Sequence, residues 1–364
     1  APESTIRNLL VGAATCADFG KRMDVGNIPD PFGHISQLPQ ILRGFDIDVM
    51  TFWRGVTDVQ NEFRWQAPDG SEILVIHQQN GYGNAANMPT DPEAFIGRTQ
   101  QIVEALTPTA TTPHLLAMNG SDHLEPQPQL PGLLAAADAA LPDVEVRHGT
   151  LPQFVAAIRE ADPELGTRTG EMRNGAKAPL LPGVLSARMW IKQRNNASEM
   201  LLTRWAEPFS VLAEAAGAPL PLTGQAAFVK QAWRYLLQNH PHDSICGCSI
   251  DQVHREMDIR FDWVDQIGNE LTDRNLQALA DVVSTPDGPA IVVFNPSSQT
   301  RTDAMSLRIP IPEEAVAVVL TAEDGTTVTP NLTDRRREIG WQFEAPVADL
   351  RPMMGYLSGD QILG

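Results

Sequence analysis

The chain is poor in cysteine, poor in positive charge and free of any long apolar run. Its 364 residues hold three cysteines. Cys246 and Cys248 are separated by Gly247 alone, too close for an ordinary bridge, and Cys16 is far from both. That excludes a disulfide framework and favours a reducing compartment, so a cytoplasmic location is expected. A Cys-x-Cys metal site would want a second cysteine pair, so this pair reads better as two small residues in a tight turn. Lys plus Arg number 27 against 45 Asp plus Glu, a net charge of -18. Such a surface repels phosphate backbones, which excludes nucleic acid as a partner and suits a neutral substrate. No apolar run approaches the roughly 20 residues of a membrane span. No basic segment followed by an apolar one marks a signal peptide.

Apolar residues make up 42% of the chain, enough at this length for the cores of two or three domains. The front of the chain alternates helical and strand-like signals. Ile6, Leu9, Leu10, Ala13 and Cys16 recur at helical spacing. Asp46–Trp53, Ser71–His77 and His114–Met118 are short apolar strands, the second preceded by a Pro68-Asp69-Gly70 turn. Strands between helices predict parallel α/β architecture. Asp30, Arg54, His77 and Asp122 each follow such a strand, at the carboxyl edge where sites are built. From about 185 to 283 the pattern becomes helical. Leu202, Trp205, Phe209 and Leu212 form one stripe, with a kink expected at Pro208. Val229, Trp233, Leu236 and Leu237 form another. Ser249 with Gln252 reads as a capping box. It opens a long helix with the stripe Ile250, Val253, Met257, Phe261, Val264, Ile267 and Leu271, suiting a helical bundle. Gly166–Gly183 reads as a linker and Pro286–Pro289 as a second boundary. Beyond it, Ile291-Val292-Val293-Phe294 and later segments read as β-structure. Ala1 falls inside a helical pattern and Gly364 inside an unfinished sheet, so the chain is expected to be cut at both ends.

Three segments carry candidate chemistry. In Pro29-Asp30-Pro31-Phe32-Gly33-His34, prolines fix the backbone around Asp30. The carboxylate suits a nucleophile or a metal ligand, and equally an ordinary Asp-Pro loop. In Asn119-Gly120-Ser121-Asp122-His123, Asp122 suits a general acid or a solvated loop. In Asn239-His240-Pro241-His242-Asp243, two histidines and an aspartate on one turn suit a borderline cation such as zinc, or a capped helix junction. His77, His114, His148 and His254 read as surface or core histidines. Arg335-Arg336-Arg337 reads as a solvated loop. Asn196-Ala197-Ser198 and Asn331-Leu332-Thr333 fit the glycosylation pattern, which matters only in a secreted eukaryotic protein.

Taken together, PDPFGHISQLPQILRGF (29–45), QNHPHDSICGCSIDQVHREM (238–257) and VVFNP (292–296) resemble glycoside hydrolase family 38, most closely its bacterial branch. The resemblance spans nearly the whole chain. It implies a multidomain α/β + α + β protein. Residues 1–176 would be part of a catalytic α/β barrel whose N-terminal portion is missing. Residues 177–285 would be a helical-bundle middle domain completing the active site, and 286–364 the truncated start of a β-sandwich domain. The implied reaction is retaining hydrolysis of α-mannosidic bonds, with Zn2+ gripping the mannose hydroxyls.

The resemblance also implies roles. Asp30 matches the nucleophile and a zinc contact, His242 a zinc ligand, and Asp122 the general acid/base. Asp243, Phe32, Arg54, Trp190 and Tyr82 match residues around the sugar. The substrate would be an α-mannosyl oligosaccharide or a mannosylglycerate-like solute, and homo-oligomerisation stays open. One departure stands out: the family's N-terminal His-x-Asp motif has no counterpart before Asp30. Only Asp30 and His242 remain of the implied ligands, so this polypeptide is expected to bind zinc weakly and turn over slowly. The rival readings are a non-catalytic carbohydrate-binding remnant and a zinc hydrolase of another class, such as a deacetylase or peptidase.

Overall fold

In the computed structural model, residues 2–57, 60–219, 223–285, 290–311 and 315–331 are described. The chain divides into two compact units, Ala1–Thr300 and Arg301–Gly364.

The first unit opens with helix α1 (Pro2–Ala17) and then builds a five-stranded sheet. Its strands are β1 (Gly26–Asn27), β2 (Val49–Phe52), β3 (Glu62–Gln66), β4 (Glu72–His77) and β5 (Thr167–Thr169), in the order β1-β2-β4-β3-β5. β2 lies parallel to β1 and β4. The sheet is mixed rather than wholly parallel, because β3 runs antiparallel to β4. The cause is local. Ala67 and Ser71 close the turn through Ala67 N–H to Ser71 O at 2.9 Å, with Gly70 at φ 88°. A turn that tight joins only antiparallel strands. His114–Met118 is not a strand. It is held instead by side chains, Asn84 Oδ1 accepting from Met118 N–H at 2.7 Å.

All of β2 is buried, and its two faces go to different layers. Met50, Phe52, Ile73, Val75 and Trp65 pack with helix α2 (Leu38–Arg43) and Met172. Val49 and Ile76 pack on the other face with Val155 of α5 (Leu151–Glu160). Helices α3 (Pro92–Leu106) and α4 (Leu130–Ala140) form a satellite core around Phe95, Ile102 and Leu133. Thr150 and Gln153 form a true capping box at α5,. The expected linker 166–183 is woven into this layer, since β5 pairs with β3 and Met172 is buried against Trp65.

Residues 189–282 form the helical bundle. It comprises α6 (Met189–Met200), α7 (Glu207–Ala215), α8 (Gln225–Leu237), the short α9 (His242–Cys246) and α10 (Asp251–Val282). Pro208 resolves its missing N–H through a π-helical stretch, Leu201–Ala206, in which Glu207 N–H reaches back to Leu202 O,. The buried stripe there is Leu202, Ala206, Phe209 and Ala213, while Leu212 is exposed. α10 buries Met257, Phe261, Val264 and Leu271 as expected, but Ile250 is exposed. The Ser249–Gln252 box does not form: Ile250 is the N-cap, without a side-chain bond, and Ser249 O pairs with His254 Nε2. Arg194 of α6 ties to Asp262 and Asp265 of α10 at 2.8 and 3.0 Å.

Ile291–Phe294 forms no ladder among the described residues. In the second unit, β6 (Leu320–Thr321) and β7 (Thr327–Val328) make a small antiparallel pair. Pro286–Pro289, Arg335–Arg337 and most of the expected β-domain lie outside the described residues. So does the end of the Asn331 glycosylation pattern. The other such pattern sits in α6, with Ser198 buried and bonded to Asp265 Oδ1 at 2.7 Å.

Candidate active site

Three loops meet at the carboxyl edge of β1, β2 and β4, and glycines set how they meet. Gly33 and Gly55 both sit at φ 105°. A Cβ on Gly55 would lie 2.3 Å from Met172 O, and one on Gly33 2.9 Å from the same oxygen. No side chain fits there, so both loops rest directly on the Met172 backbone. His34 and Met172 exchange backbone hydrogen bonds at 3.0 and 2.9 Å, and Asn174 N–H donates to Gly55 O at 2.8 Å. One extended segment thus aligns the Asp30 loop with the Arg54 loop.

The two side chains then meet. Arg54 Nε and one terminal nitrogen donate to Asp30 Oδ1 at 2.9 and 2.5 Å, while its other nitrogen reaches Pro179 O. The guanidinium lies over Trp53, 4.3 Å from the ring centroid, and 5.3 Å from that of Phe32. The fork leaves Asp30 Oδ2 for the bundle, and His242 Nε2 occupies it at 3.0 Å. The imidazole packs edge-on to Phe32 at 5.7 Å. Asp243 Oδ1 lies 3.5 Å from His242 Nε2. Pro241 and the left-handed Gly247 (φ 78°) bound the single helical turn of α9 that presents this pair,.

Asp122 joins from a fourth loop. Tyr82 Oη donates to Asp122 Oδ2 at 2.6 Å, and the Tyr82 ring packs edge-on to Trp53 at 6.1 Å. The Tyr82 hydroxyl is pushed up to about 12, first by this bond, then by desolvation and the charge of Asp30,. Asp30, Phe32, Arg54, Tyr82, Asp122, His242 and Asp243 are therefore one connected group. Trp190 stands at the start of α6, 39% exposed. Its neighbour Arg188 is anchored to Gly247 O and Asp251. His77 and His254 are buried, as core histidines.

Trp53, Pro179 and Met172 escape a reading of the sequence. Trp53 had a faint signal, an aromatic beside Arg54 at a strand end. Pro179 and Met172 contribute backbone atoms, which leave no side-chain signature.

Both large domains match family models. Residues 1–174 match the glycosyl hydrolases family 38 N-terminal domain, and 180–279 match the alpha mannosidase middle domain. The chain belongs to glycosyl hydrolase family 38. A putative mannosylglycerate hydrolase of Halalkalibacterium halodurans is 37% identical over 281 residues, covering 72% of the family 38 chain and 31% of that protein. Alpha-mannosidase 2C1 of Mus musculus is 25% identical over 344 residues, 91% of this chain and 31% of its own. A crystal structure of an alpha-mannosidase from Enterococcus faecalis V583 superposes with TM-score 0.74 at 33% identity, covering 79% of this chain and 33% of that one. The chain thus spans about a third of the length of these relatives.

Zinc is the metal expected of this family, and the donor set here is short of it. Among the described residues no group of three or more His, Cys, Asp or Glu side chains is gathered as a metal site. Catalytic zinc normally takes three protein ligands. Asp30 Oδ2 and His242 Nε2 sit 3.0 Å apart, in direct hydrogen-bond contact. Two ligands on one tetrahedral zinc would stand about 3.3 Å apart, from Zn–N and Zn–O lengths of about 2.0–2.2 Å. The residues present do not by themselves make a complete zinc site.

Proposed function

We propose that this chain carries the catalytic carboxylates of a retaining α-mannosidase. The observation that carries the reading is Asp30, held on one oxygen by the Arg54 fork and on the other by His242, with Asp122 joined to it through Trp53 and Tyr82. A retaining glycosidase places two carboxyl groups about 5 Å apart across the sugar. Asp30 is the nucleophile. It attacks the anomeric carbon, the glycosidic C–O bond breaks, and Asp122 gives its proton to the leaving oxygen. Asp122 then takes a proton from water, which displaces Asp30 and releases mannose with retained configuration. Arg54 orients Asp30, and the planar guanidinium over Trp53 keeps the fork from swinging away. Phe32, Trp190 and Asp243 bind the sugar.

Asp30 and His242 are proposed as a partial zinc site, and no step is routed through the metal. A small α-mannoside such as mannosylglycerate is favoured over a long oligosaccharide by the putative mannosylglycerate hydrolase among the relatives. The unpaired state of Cys16, Cys246 and Cys248 supports a reducing, cytoplasmic setting. The short ligand set also favours a second reading, a carbohydrate-binding remnant without turnover.

The test is hydrolysis of 4-nitrophenyl α-mannoside in excess zinc. A slow rate is expected, with α-mannose as the first product by NMR and no rate in Asp30→Asn. Mannoside binding without hydrolysis selects the second reading. A rate untouched by Asp30→Asn sinks the first.

A further inference from the structure

Asp30 is held by the Arg54 fork and Asp122 by the Tyr82 hydroxyl, while among the described residues no arginine or tyrosine holds Asp243. Its side chain is also open to solvent, 55% exposed. A carboxylate on an exposed single turn samples several rotamers, and each lost rotamer costs binding free energy when a ligand selects one. Something must pin it if it is to meet a sugar hydroxyl in one geometry.

The turn that follows supplies the pin. After Gly247 the chain doubles back, and the N–H groups of Cys248 and Ser249 both point at Asp243 O, at 3.1 and 3.3 Å. The reversal is built in. Gly247 is left-handed, and a Cβ there would meet Ala187 O at 3.1 Å, so the turn is wedged against the Arg188 segment. It carries the Cys248 side chain onto Asp243. Cys248 Sγ lies 3.3 Å from Asp243 Oδ1 and 3.6 Å from its backbone carbonyl. An ionised carboxylate is the stronger acceptor of a weak donor, and it is the nearer one.

We propose that Cys248 is a positioning residue: its thiol donates to Asp243 Oδ1 and leaves Asp243 Oδ2 free to accept a hydroxyl of the bound sugar. The inference rests on the reading of Asp243 as a sugar contact. Desolvation and the neighbouring Asp243 push the Cys248 thiol up to about 11, so it keeps its proton, and with it the donor, across the neutral range,. The same shift makes it a poor nucleophile, which sets this thiol apart from a reactive cysteine.

The test has two arms in a Cys16→Ser background, using the whole chain. In the first, iodoacetamide labelling of Cys248 is followed at pH 8 by peptide mapping. Asp243→Asn removes the adjacent charge and is expected to speed labelling several-fold. An unchanged rate means the thiol does not sit on the carboxylate, and overturns the proposal. In the second, binding of methyl α-mannoside is titrated by NMR. Cys248→Ala keeps both backbone bonds and is expected to weaken binding by about two- to tenfold, the range for one ordinary net hydrogen bond. Cys248→Ser restores a donor and is expected to recover most of it. Equal binding by all three also overturns the proposal. Should the unsubstituted chain bind no mannoside while the labelling arm succeeds, the sugar-site reading falls and takes the positioning role with it.

Discussion

At the scale of single residues, the site is a set of polar groups whose neighbours decide their state. Tyr82 is raised to about 12 by its bond to Asp122. Its folded value lies above its unfolded one, so its contribution to stability is complete below pH 10 and fades as pH climbs from 10 towards 12. Absorbance titration of the tyrosines is expected to show one late phenolate, and Asp122→Asn is expected to move it back towards pH 10. His34 and His77 shift the other way. Burial lowers both to about 4. Between pH 6.5 and 4 the unfolded chain binds more protons than the folded one, so stability falls on acidification through that window, by up to about 3 kcal/mol for each histidine. Denaturant melts at pH 7 and pH 5 are expected to show the loss. His34→Phe, on the side of Phe52 and Trp65, is expected to shrink it.

At the scale of elements, backbone contacts position the loops of the candidate site. Gly55→Ala would drive a methyl group into Met172 O at 2.3 Å at a positive φ that alanine resists,. A loss of at least about 2 kcal/mol is expected by denaturant melting, together with weaker mannoside binding. Gly268→Ala is the control. Its Cβ would meet Leu201 side-chain atoms, Cδ2 at 2.6 Å and Cγ at 2.8 Å, and no backbone oxygen so near. Alanine gains about 1 kcal/mol of helix propensity, which offsets the shift of that side chain. A change within about 1 kcal/mol is expected there. Elements were legible where periodicity alone decides them. The stripe Met257, Phe261, Val264 and Leu271 shows plainly, because a long helix repeats its pattern many times. The direction of β3 was not. Glu62-Phe63-Arg64-Trp65-Gln66 has only two apolar residues and does not read as a strand, and only the register with β4 orients it. The Ser249 cap misled because Ser249 O is spent on His254 while its hydroxyl gains nothing from the helix end. The reading of 166–183 as a linker contains the join between the two family domains, 174 to 180, but misses the structural part before it. Gly and Pro signal turns, yet Met172 between them is the rest on which both site loops lie.

At the scale of the whole molecule, the site exists only because segments about a hundred residues apart converge. Asp30 comes from the sheet layer, Asp122 from a loop beside it and His242 from the bundle. The residue types were visible in the sequence and their roles came through family resemblance. Their closeness comes from folding, and the Arg54 fork and Tyr82 bond could not be read from spacing. Mixing the chain with zinc is expected to give weak, readily chelated binding, lost further in His242→Ala; calorimetry checks this against the two-ligand set. Tight binding of one zinc per chain would mean that further ligands take part.

The central claim is that Asp30 faces the anomeric carbon of a bound mannoside. Incubation of the zinc-supplied chain with a fluorinated mannosyl fluoride, followed by peptide mapping, tests it most directly. The account predicts a mannosyl ester on Asp30, absent in Asp30→Asn. A label on another residue, with Asp30 unmodified, would contradict it.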